Sequence, residues 1–163
     1  MESILVLSDI HAGAARAAEV LSSHPQVRTV IFLGDGVSAL ERLFANCTDR
    51  AYFAVRGNCD LFTDGVQARE ALLEIGGHRI FITHGDAYGV KGGVGGLIAA
   101  AKAIHADIAL FGHTHRRCEE YIPEAGLYLF NPGSIGSSRD GVYSYGILTL
   151  DEKNVLFSFG EVE

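Results

Sequence analysis

The chain has 163 residues, of which 48% are hydrophobic and 20% are charged. This balance argues against a disordered protein, and the length allows one core that buries about 70% of the surface of the unfolded chain. The formal net charge of −7 argues against a broad basic face for duplex nucleic acid, because lysine and arginine supply most of the affinity for DNA phosphates, but it leaves room for a phosphate substrate bound through metal ions.

The chain opens with "MESILVLSDI", an apolar run without the basic segment that starts a signal peptide. No stretch reaches the roughly 18 uncharged apolar residues that a membrane span needs, so we expect no membrane association. The cysteines, Cys47, Cys59 and Cys118, are odd in number and widely spaced, which fits neither a disulfide framework nor a zinc knuckle. These features predict a first strand at the N-terminus and a cytoplasmic protein.

Apolar runs alternate with helical stretches in the first part of the chain. The runs at residues 4–7 and 27–34, and the run in "AYFAVRGN", predict three strands. Between them, "AARAAEVLSSH" and "VSALERLFAN" predict two helices. Strands that alternate with helices imply right-handed crossovers, so the first half is predicted to be α/β with a mostly parallel sheet.

The pattern changes in the second half. Residues 69–83 predict a hairpin around Gly76 and Gly77, and the glycine-rich "GVKGGVGG" leads into a helix in "LIAAAKAIHA". After a strand that ends in "FGHTH", the short segments "RRCEEYI", "GLYLFN", "YSYGILTL" and "NVLFSF" predict antiparallel strands. Neither a repeat nor a linker interrupts the chain, so we expect one domain over residues 1–163, with two sheets packed face to face and helices outside.

Polar residues with metal-binding chemistry follow five of the predicted strands, nearly always beside a glycine. Strand ends of open α/β sheets open onto the crevice where ligands bind. One Asp-x-His or Gly-x-His pair carries little weight, but five ordered clusters do. Three other histidines, His24, His78 and His105, lie in helix and turn segments and are predicted to be structural. The candidate metal ligands are Asp9, His11, Asp35, Asn58, His84, His113 and His115.

Seven ligands are too many for one tetrahedral zinc ion, and none of them is a cysteine, which argues against a structural zinc site. Two five- or six-coordinate ions that share one carboxylate would use all seven. Mixed nitrogen and oxygen ligands suit manganese, iron, zinc, nickel or cobalt better than calcium or magnesium alone.

The ordered motifs Asp9-x-His11, Gly34-Asp35, Gly57-Asn58, His84-Gly85 and Gly112-His113-x-His115 resemble the calcineurin-like metallophosphoesterase superfamily. "VRGNCD", the short length and "NPGSIGSSR" make the chain similar to the small bacterial and archaeal phosphodiesterases of that superfamily, which are close in fold to the retromer subunit. The resemblance implies a four-layer α/β/β/α sandwich of two mixed sheets with flanking helices and a dinuclear metal centre.

The resemblance also implies a distribution of ligands over the two metal ions, for which manganese is our first expectation. Asp35 would bridge the ions. One ion would take Asp9, His11 and His115, and the other Asn58, His84 and His113. A hydroxide shared by the two ions would attack a small phosphodiester in line. Asn58 and Arg56 would orient its phosphate, although a solvated side chain is the plainer interpretation of Arg56.

The sequence departs from the superfamily pattern at two positions. Cys59 replaces the histidine that protonates the leaving group in many members, and a thiol with a pKa near 8.5 is a poor general acid, which costs on the order of 10² to 10⁴ in rate. Asp60 would orient that histidine, or else cap the segment that follows it. Asp86 replaces a second histidine and is expected outside the ligand set. With Asn58, Cys59 and Asp60 as the catalytic candidates, we expect slow hydrolysis of diesters and weaker action on monoesters.

Two other functional classes fit the same fold. A scaffold protein could keep the sandwich and bind protein partners, as the resemblance to the retromer subunit allows. A protein phosphatase would need substrate-binding loops for which this chain lacks the length. A homodimer is considered because dimers are common among small globular enzymes.

Overall fold

The computed structural model describes residues 1–63, 65–66 and 68–163. Within these residues, ten strands form two mixed five-stranded sheets, flanked by three α-helices. The strands are β1 Glu2–Leu7, β2 Thr29–Phe32, β3 Ala51–Ala54, β4 Glu70–Ile75, β5 His78–Thr83, β6 Ile108–Leu110, β7 Arg117–Ile122, β8 Leu127–Pro132, β9 Tyr143–Asp151 and β10 Asn154–Val162. The helices are α1 Ala14–Ser23, α2 Val37–Phe44 and α3 Gly95–Ala103, with a short 3-10 turn at Asp86–Tyr88.

The first sheet has the order β10-β9-β1-β2-β3. Its strands β1, β2 and β3 are parallel, as the alternation of strands and helices predicts, and β9 and β10 add to it antiparallel. The chain therefore returns to the first sheet with its last two strands. Since β9 pairs with β1 over residues 2–6, the two ends of the sequence lie in one sheet.

The second sheet has the order β4-β5-β6-β8-β7. The hairpin of β4 and β5 turns at Gly76 and Gly77, which both have positive φ (60° and 86°), as a two-residue hairpin turn requires. The expectation of an antiparallel second half is correct for β7 with β8 and for β9 with β10, but it is wrong for β8, which runs parallel to β6. Alternating hydrophobicity marks a strand but does not fix the direction of its neighbour.

The core is divided into layers by the alternation of side chains along the strands. Ile4 and Val6 of β1 pack between the two sheets, together with Ile80 and Ile82 of β5. Leu5 and Leu7 point the other way and pack against α1 and α2. A third cluster joins β6 and β8 to α3 on the far side of the second sheet. The order of layers is thus α/β/β/α, the predicted sandwich. Among the described residues, every helix is too short or too polar to cross a membrane.

Candidate metal centre

The candidate ligands lie on loops that directly follow parallel strands. Asp9 and His11 come after β1, and Asp35 comes after β2. The second sheet contributes His84 after β5 and a histidine pair, His113 and His115, after β6. Because the two sheets pack face to face, these loops meet at one edge of the sandwich.

The first group of ligand atoms belongs to Asp9, His11 and His115, which all lie within 4.8 Å of one another. The Nε2 atom of His115 is 3.0 Å from Asp9 Oδ1, and the Nε2 atom of His11 is 3.7 Å from the same oxygen. The two Nε2 atoms are 3.3 Å apart. One carboxylate oxygen and two ring nitrogens therefore converge on one point.

The second group belongs to Asp35, His84 and His113, again within 4.8 Å of one another. His84 Nε2 lies 3.3 Å from Asp35 Oδ2 and 3.2 Å from His113 Nδ1. Asp35 also links the groups, because its Oδ2 atom is 3.9 Å from His11 Nε2. The structure thus places six of the seven candidate ligands in one cluster.

Asn58, the seventh candidate, lies at the exposed edge of this cluster. Its side-chain amide donates a hydrogen bond to Cys59 Sγ at 3.4 Å. Cys59 is itself close to the ligand atoms, since it forms a third group of potential ligands with His11 and Asp35. The sequence identifies Cys59 only as the replacement for a histidine that acts as a general acid. The position of its sulfur among the ligand atoms is known only from the fold.

The backbone at the candidate ligands adopts an uncommon conformation. Six non-glycine residues of the described chain have positive φ, and five of them are Asp9, His11, Asp35, His113 and His115. Such conformations cost about 1–3 kcal/mol each and persist only where the surrounding structure enforces them. The turn at each strand end directs the ligand side chain towards the cluster instead of continuing the strand.

Neighbouring groups fix the orientation of the ligand side chains. His84 Nδ1 donates to the carbonyl oxygen of Leu33 at 2.7 Å, which leaves the lone pair of its Nε2 atom facing the cluster. Asp9 Oδ2 accepts hydrogen bonds from the Ser8 hydroxyl and from the His113 backbone N–H. Asp35 Oδ1 accepts one from the Cys59 backbone N–H at 2.8 Å. Each aspartate therefore keeps one oxygen for the cluster.

Asp60 holds the loop that carries Asp35. Its buried carboxylate accepts hydrogen bonds from the backbone N–H groups of Asp35 (2.7 Å) and Gly57 (2.8 Å) through Oδ2, and of Gly36 (2.9 Å) and Val37 (3.0 Å) through Oδ1. These contacts cap the first turn of α2. The carboxylate of Asp60 is thus fully engaged by the backbone. It caps α2, which precedes it in the chain, and not the following segment that the sequence suggests, because the fold brings the loop after β3 against the start of α2.

Two glycines allow the loops to approach the aspartates. A Cβ atom at Gly57 would overlap Asp35 Oδ1, and a Cβ atom at Gly112 would overlap Ser8 Oγ and approach Asp9 Oδ2. The glycines in "RGN" and "FGHTH" are therefore required by close packing against the ligands, which explains why glycine accompanies the polar strand ends.

Opposite charges perturb the pKa values of the cluster. Burial raises the pKa of the Asp9 carboxyl, but hydrogen-bonding contacts with His11 and His115 outweigh it and hold that pKa well below its usual range. The contact with Asp9 raises the pKa of His11. Burial lowers the pKa of His84, and its contacts with Asp35 and Asp9 more than reverse this effect. The cluster therefore stabilises anionic carboxylates and attracts protons to its imidazoles, and the same field favours a divalent cation.

Unpartnered atoms support a metal-binding interpretation. Asp9 Oδ1 and His115 Nδ1 are buried and make no aligned hydrogen bond among the described residues, although Asp9 Oδ1 lies 3.0 Å from His115 Nε2. Buried polar atoms of native proteins nearly always have partners, so such atoms in a cluster of ligand type call for one. Carboxylate oxygens and imidazole nitrogens, without thiolates in the two main groups, match a transition metal of the manganese-to-zinc series. The residues fit the predicted pair of ions.

Other sequence-selected residues lie outside the cluster. The carboxylate of Asp86 bonds to Arg69 at 2.5 Å, consistent with its expected place outside the ligand set. Arg56 is half-buried, and its Nε atom lacks a partner among the described residues. His24, after α1, and His78 bond to backbone carbonyl oxygens at 2.9 and 2.8 Å. His78 is the first residue of β5 and does not lie in a turn segment as expected.

The sequence did not predict two buried side chains that support the ligand loops. The buried amide of Asn131 donates to the carbonyl oxygen of Gly112 at 3.0 Å, and the buried hydroxyl of Ser134 donates to the carbonyl oxygen of Asp9 at 2.8 Å. Both residues belong to the "NPGS" segment at the end of β8. Their signal was the polar residues at yet another strand end, although neither contributes a ligand.

A cavity of about 470 Å³ opens onto the cluster. His11, Asp35 and Cys59 line its inner side, and the exposed side chains of Leu61 and Phe62 line its rim. His11 and Cys59 are therefore exposed to solvent at this edge of the cluster, whereas Asp9, Asp35 and His84 are buried.

Comparisons with known proteins agree with this site. The model of the calcineurin-like phosphoesterase superfamily domain matches residues 2–153. The probable metallophosphoesterase YsnB of Bacillus subtilis is 31% identical over 150 residues, which cover 91% of this chain and 85% of YsnB. A phosphodiesterase of Methanocaldococcus jannaschii is 29% identical over 168 residues, with 91% of this chain and 93% of that protein covered.

A similar fold is found among solved structures. Vps29 of Entamoeba histolytica, crystallised with zinc, superposes with a TM-score of 0.77 over 98% of both chains, at 22% identity. This likeness shows that the sandwich is shared. At this identity it does not extend to function.

Proposed function

The chain belongs to the calcineurin-like phosphoesterase superfamily, and on this premise we propose that it is a phosphodiesterase that works with two divalent metal ions. The proposal follows the similarity to the phosphodiesterase of Methanocaldococcus jannaschii. It makes the protein a hydrolase of small phosphodiesters.

One observation carries the proposal: two carboxylates and four imidazoles from two sheets form two adjoining ligand groups, and the groups contain a buried carboxylate oxygen, Asp9 Oδ1, that makes no aligned hydrogen bond and whose close neighbours are imidazole nitrogens. Hydrophobic packing alone would not place these groups together, because burial of unpaired polar atoms is unfavourable. Cation binding would offset that cost.

We assign the ligands as the resemblance implies. Asp35 would be shared by the two ions. Asp9, His11 and His115 would hold one ion, and Asn58, His84 and His113 would hold the other. Manganese is the first choice of metal, and nickel, iron, zinc and cobalt are alternatives with the same ligand preferences. The zinc-bound crystal of Vps29 supports a transition metal in this fold.

Bound together, the ions supply Lewis acidity, which lowers the pKa of a water molecule and neutralises charge on the phosphate. The side chains of the protein hold the substrate and the ligand loops in position. Asn58 and Arg56 orient the phosphate from the exposed edge, and Asp60 keeps the Asp35 loop in place. Burial and the nearby Asp35 raise the pKa of Cys59, so that its thiol is neutral at physiological pH and a weak proton donor to the leaving group.

The test compares a diester with a monoester. Purified protein loaded with manganese should hydrolyse bis(p-nitrophenyl) phosphate faster than p-nitrophenyl phosphate, and a chelator should abolish both reactions. The matched control is Asp107→Asn, which removes a carboxylate far from the cluster and should keep the activity, whereas Asp35→Asn should lose it. A strong preference for the monoester, or full activity of Asp35→Asn, would contradict the proposal.

The scaffold alternative has a weaker basis. It derives from the likeness to Vps29, which concerns the fold, whereas a scaffold has no need of six converging ligands. Because a scaffold of this fold can still bind metal, the two functions are separated by the diester assay on metal-loaded protein, in which a scaffold would show no turnover. A homodimer and a cytoplasmic location stay predictions.

A further inference from the structure

A second cavity, of about 480 Å³, adjoins the ligand cluster on the side of the histidine loop. Phe111, Val90 and Val94 form an apolar floor. Thr114, which lies between the two candidate ligands of the "FGHTH" loop, also lines the cavity. The cavity is therefore large enough for a small molecule and shares its wall with the metal centre.

The rim of this cavity is positively charged. Lys91, Arg116 and Arg139 line it, and none of the described lining residues is acidic. All three side chains are exposed, and within the described part of the chain none is hydrogen-bonded or ion-paired to a carboxylate. In a chain with a formal net charge of −7, three unpaired cations around one cavity are a local exception to the overall charge.

Arg117 also lines the cavity, but unlike the other three cations it is ion-paired. Arg117 bonds to Asp140 at 3.1 Å and to Glu161 at 3.0 Å, so its charge is already neutralised within the fold. The other three side chains have no such partners and remain available to an anion.

The cations are held close to the centre by the backbone. The backbone N–H of Arg139 donates to the carbonyl oxygen of His115 at 2.9 Å. Arg116 directly follows His115 in the chain. An anion in this cavity would thus lie beside a phosphate at the ligand cluster, without competing for the ligands themselves.

We propose that this cavity binds a second phosphate of the substrate. The preferred substrates are then phosphodiesters of a small molecule that also bears a phosphomonoester, with an apolar part against the partly exposed Val94, since Phe111 and Val90 are almost fully buried. A phosphomonoester carries about two negative charges at neutral pH and offers three acceptor oxygens, which suits two guanidinium groups and an ammonium group. This inference rests on the proposed function for the position of the scissile phosphate.

The kinetic test uses two substrates that differ only in the second phosphate. They are thymidine 5′-(p-nitrophenyl phosphate) and its 3′-phosphorylated form. The manganese-loaded wild type should favour the 3′-phosphorylated form in kcat/KM by about tenfold or more, since paired charges add specificity at this scale. In Lys91→Gln/Arg116→Gln/Arg139→Gln this ratio should fall to about one.

A charge-matched control separates a local subsite from the overall field. Arg28→Gln/Lys102→Gln/Lys153→Gln removes the same number of cations from exposed positions elsewhere in the fold and should keep the wild-type ratio. Equal ratios in the wild type and the cavity variant would overturn the subsite, and so would an equal loss in both triple variants. Near-UV circular dichroism verifies that both variants are folded.

Equilibrium binding distinguishes a failed subsite from a failed hydrolase. Calorimetry compares thymidine 3′,5′-bisphosphate with thymidine 5′-phosphate on manganese-loaded protein. Tighter binding of the bisphosphate, lost in the cavity variant, supports the subsite even if neither ester is hydrolysed, and in that case the proposed function alone fails. Equal binding of the two ligands to the wild type overturns the subsite.

Discussion

Asp35 lies at the junction of the two ligand groups, where its Oδ2 atom is 3.3 Å from His84 and 3.9 Å from His11. Its other oxygen is occupied by the backbone N–H of Cys59. Some residues around Asp35 offer lone pairs to the cluster, and others hold these ligand residues in place. The predictions at this scale concern Cys59, which lies beside His11 and Asp35, and Gly112, which packs against Ser8 and Asp9.

The substitution Cys59→His should restore a general acid. We expect turnover of diesters with poor leaving groups to rise by about tenfold or more, because an imidazole protonates an alkoxide far better than a thiol of raised pKa. Diesters of p-nitrophenol should gain little, since that leaving group needs no proton.

The measurement is kcat of metal-loaded protein on both kinds of diester. Cys59→Ser is the matched control, because it removes the thiol without adding an acid of suitable pKa. An equal gain for both leaving groups, or none for the poor one, would count against the assignment of Cys59 to the leaving-group side.

The substitution Gly112→Ala should weaken the fold and the metal centre together. Its Cβ would collide with the Ser8 hydroxyl and approach Asp9 Oδ2, which overpacks a buried region at a cost of about 1–3 kcal/mol. Urea unfolding of the metal-free variant measures the loss, and metal titration measures the affinity. Gly95→Ala, at the start of α3 with open space around the glycine, should show neither effect. Unchanged stability of Gly112→Ala would mean that the loop relaxes freely.

At the scale of elements, helix α2 and the Asp35 loop are one structural unit. Neither an N-cap side chain nor an acidic residue in the first turn belongs to α2 itself, and Asp60, from the loop after β3, supplies the missing acceptors. The loop after β2 and the loop after β3 are thereby joined at the site. A substitution that removes this cap should therefore disturb the position of Asp35.

Asp60→Ala should destabilise the fold by about 2 kcal/mol, because four backbone N–H groups lose a buried carboxylate partner. Chemical denaturation tests this expectation, and Asp49→Ala, which removes an exposed carboxylate, is the control. We also expect a fall in kcat, since the bridging loop is released. Normal stability of Asp60→Ala would refute the capping role.

The histidine loops should make metal affinity depend on pH. A metal ion binds the neutral imidazole, whereas contacts with Asp9 raise the pKa of His11 above 6.5, and contacts with Asp35 and Asp9 do so for His84 against the effect of burial. Protons therefore compete with the metal below these raised values. Affinity should rise with pH up to the raised folded pKa values of His11 and His84 and then level off.

Calorimetric titration with manganese in buffers of different ionisation enthalpy measures both the affinity and the protons released. Proton release should be largest at about pH 6 and decline above the raised pKa values. Affinity that is constant over this range would mean that the histidines do not bind the metal.

At the scale of the whole molecule, much of the architecture follows from the hydrophobic pattern. Strands β1 and β2 are buried on both faces, and their near-continuous apolar runs identify them without further information. The parallel direction of β8 was not predicted, because its pairing with β6 depends on packing between segments that are far apart in the sequence. The short 3-10 turn after β5 also has no periodic signal of its own.

The candidate site is likewise only partly predictable from the sequence. The polar residues at strand ends predict a cluster, because the topology brings parallel strand ends together. The supporting roles of Asn131, Ser134 and Asp60 could not be derived, since a capping contact between loops far apart in sequence depends on the final geometry. Positive φ at the ligands is likewise a property of the folded loops.

The central claim is that seven side chains hold two divalent ions between the sheets. The most direct measurement is a crystal structure of manganese-loaded protein with anomalous scattering recorded at the manganese edge. We predict two anomalous peaks, one contacted by Asp9, His11 and His115 and the other by Asn58, His84 and His113, with Asp35 between them. No peak, a single peak, or peaks away from these residues would contradict it.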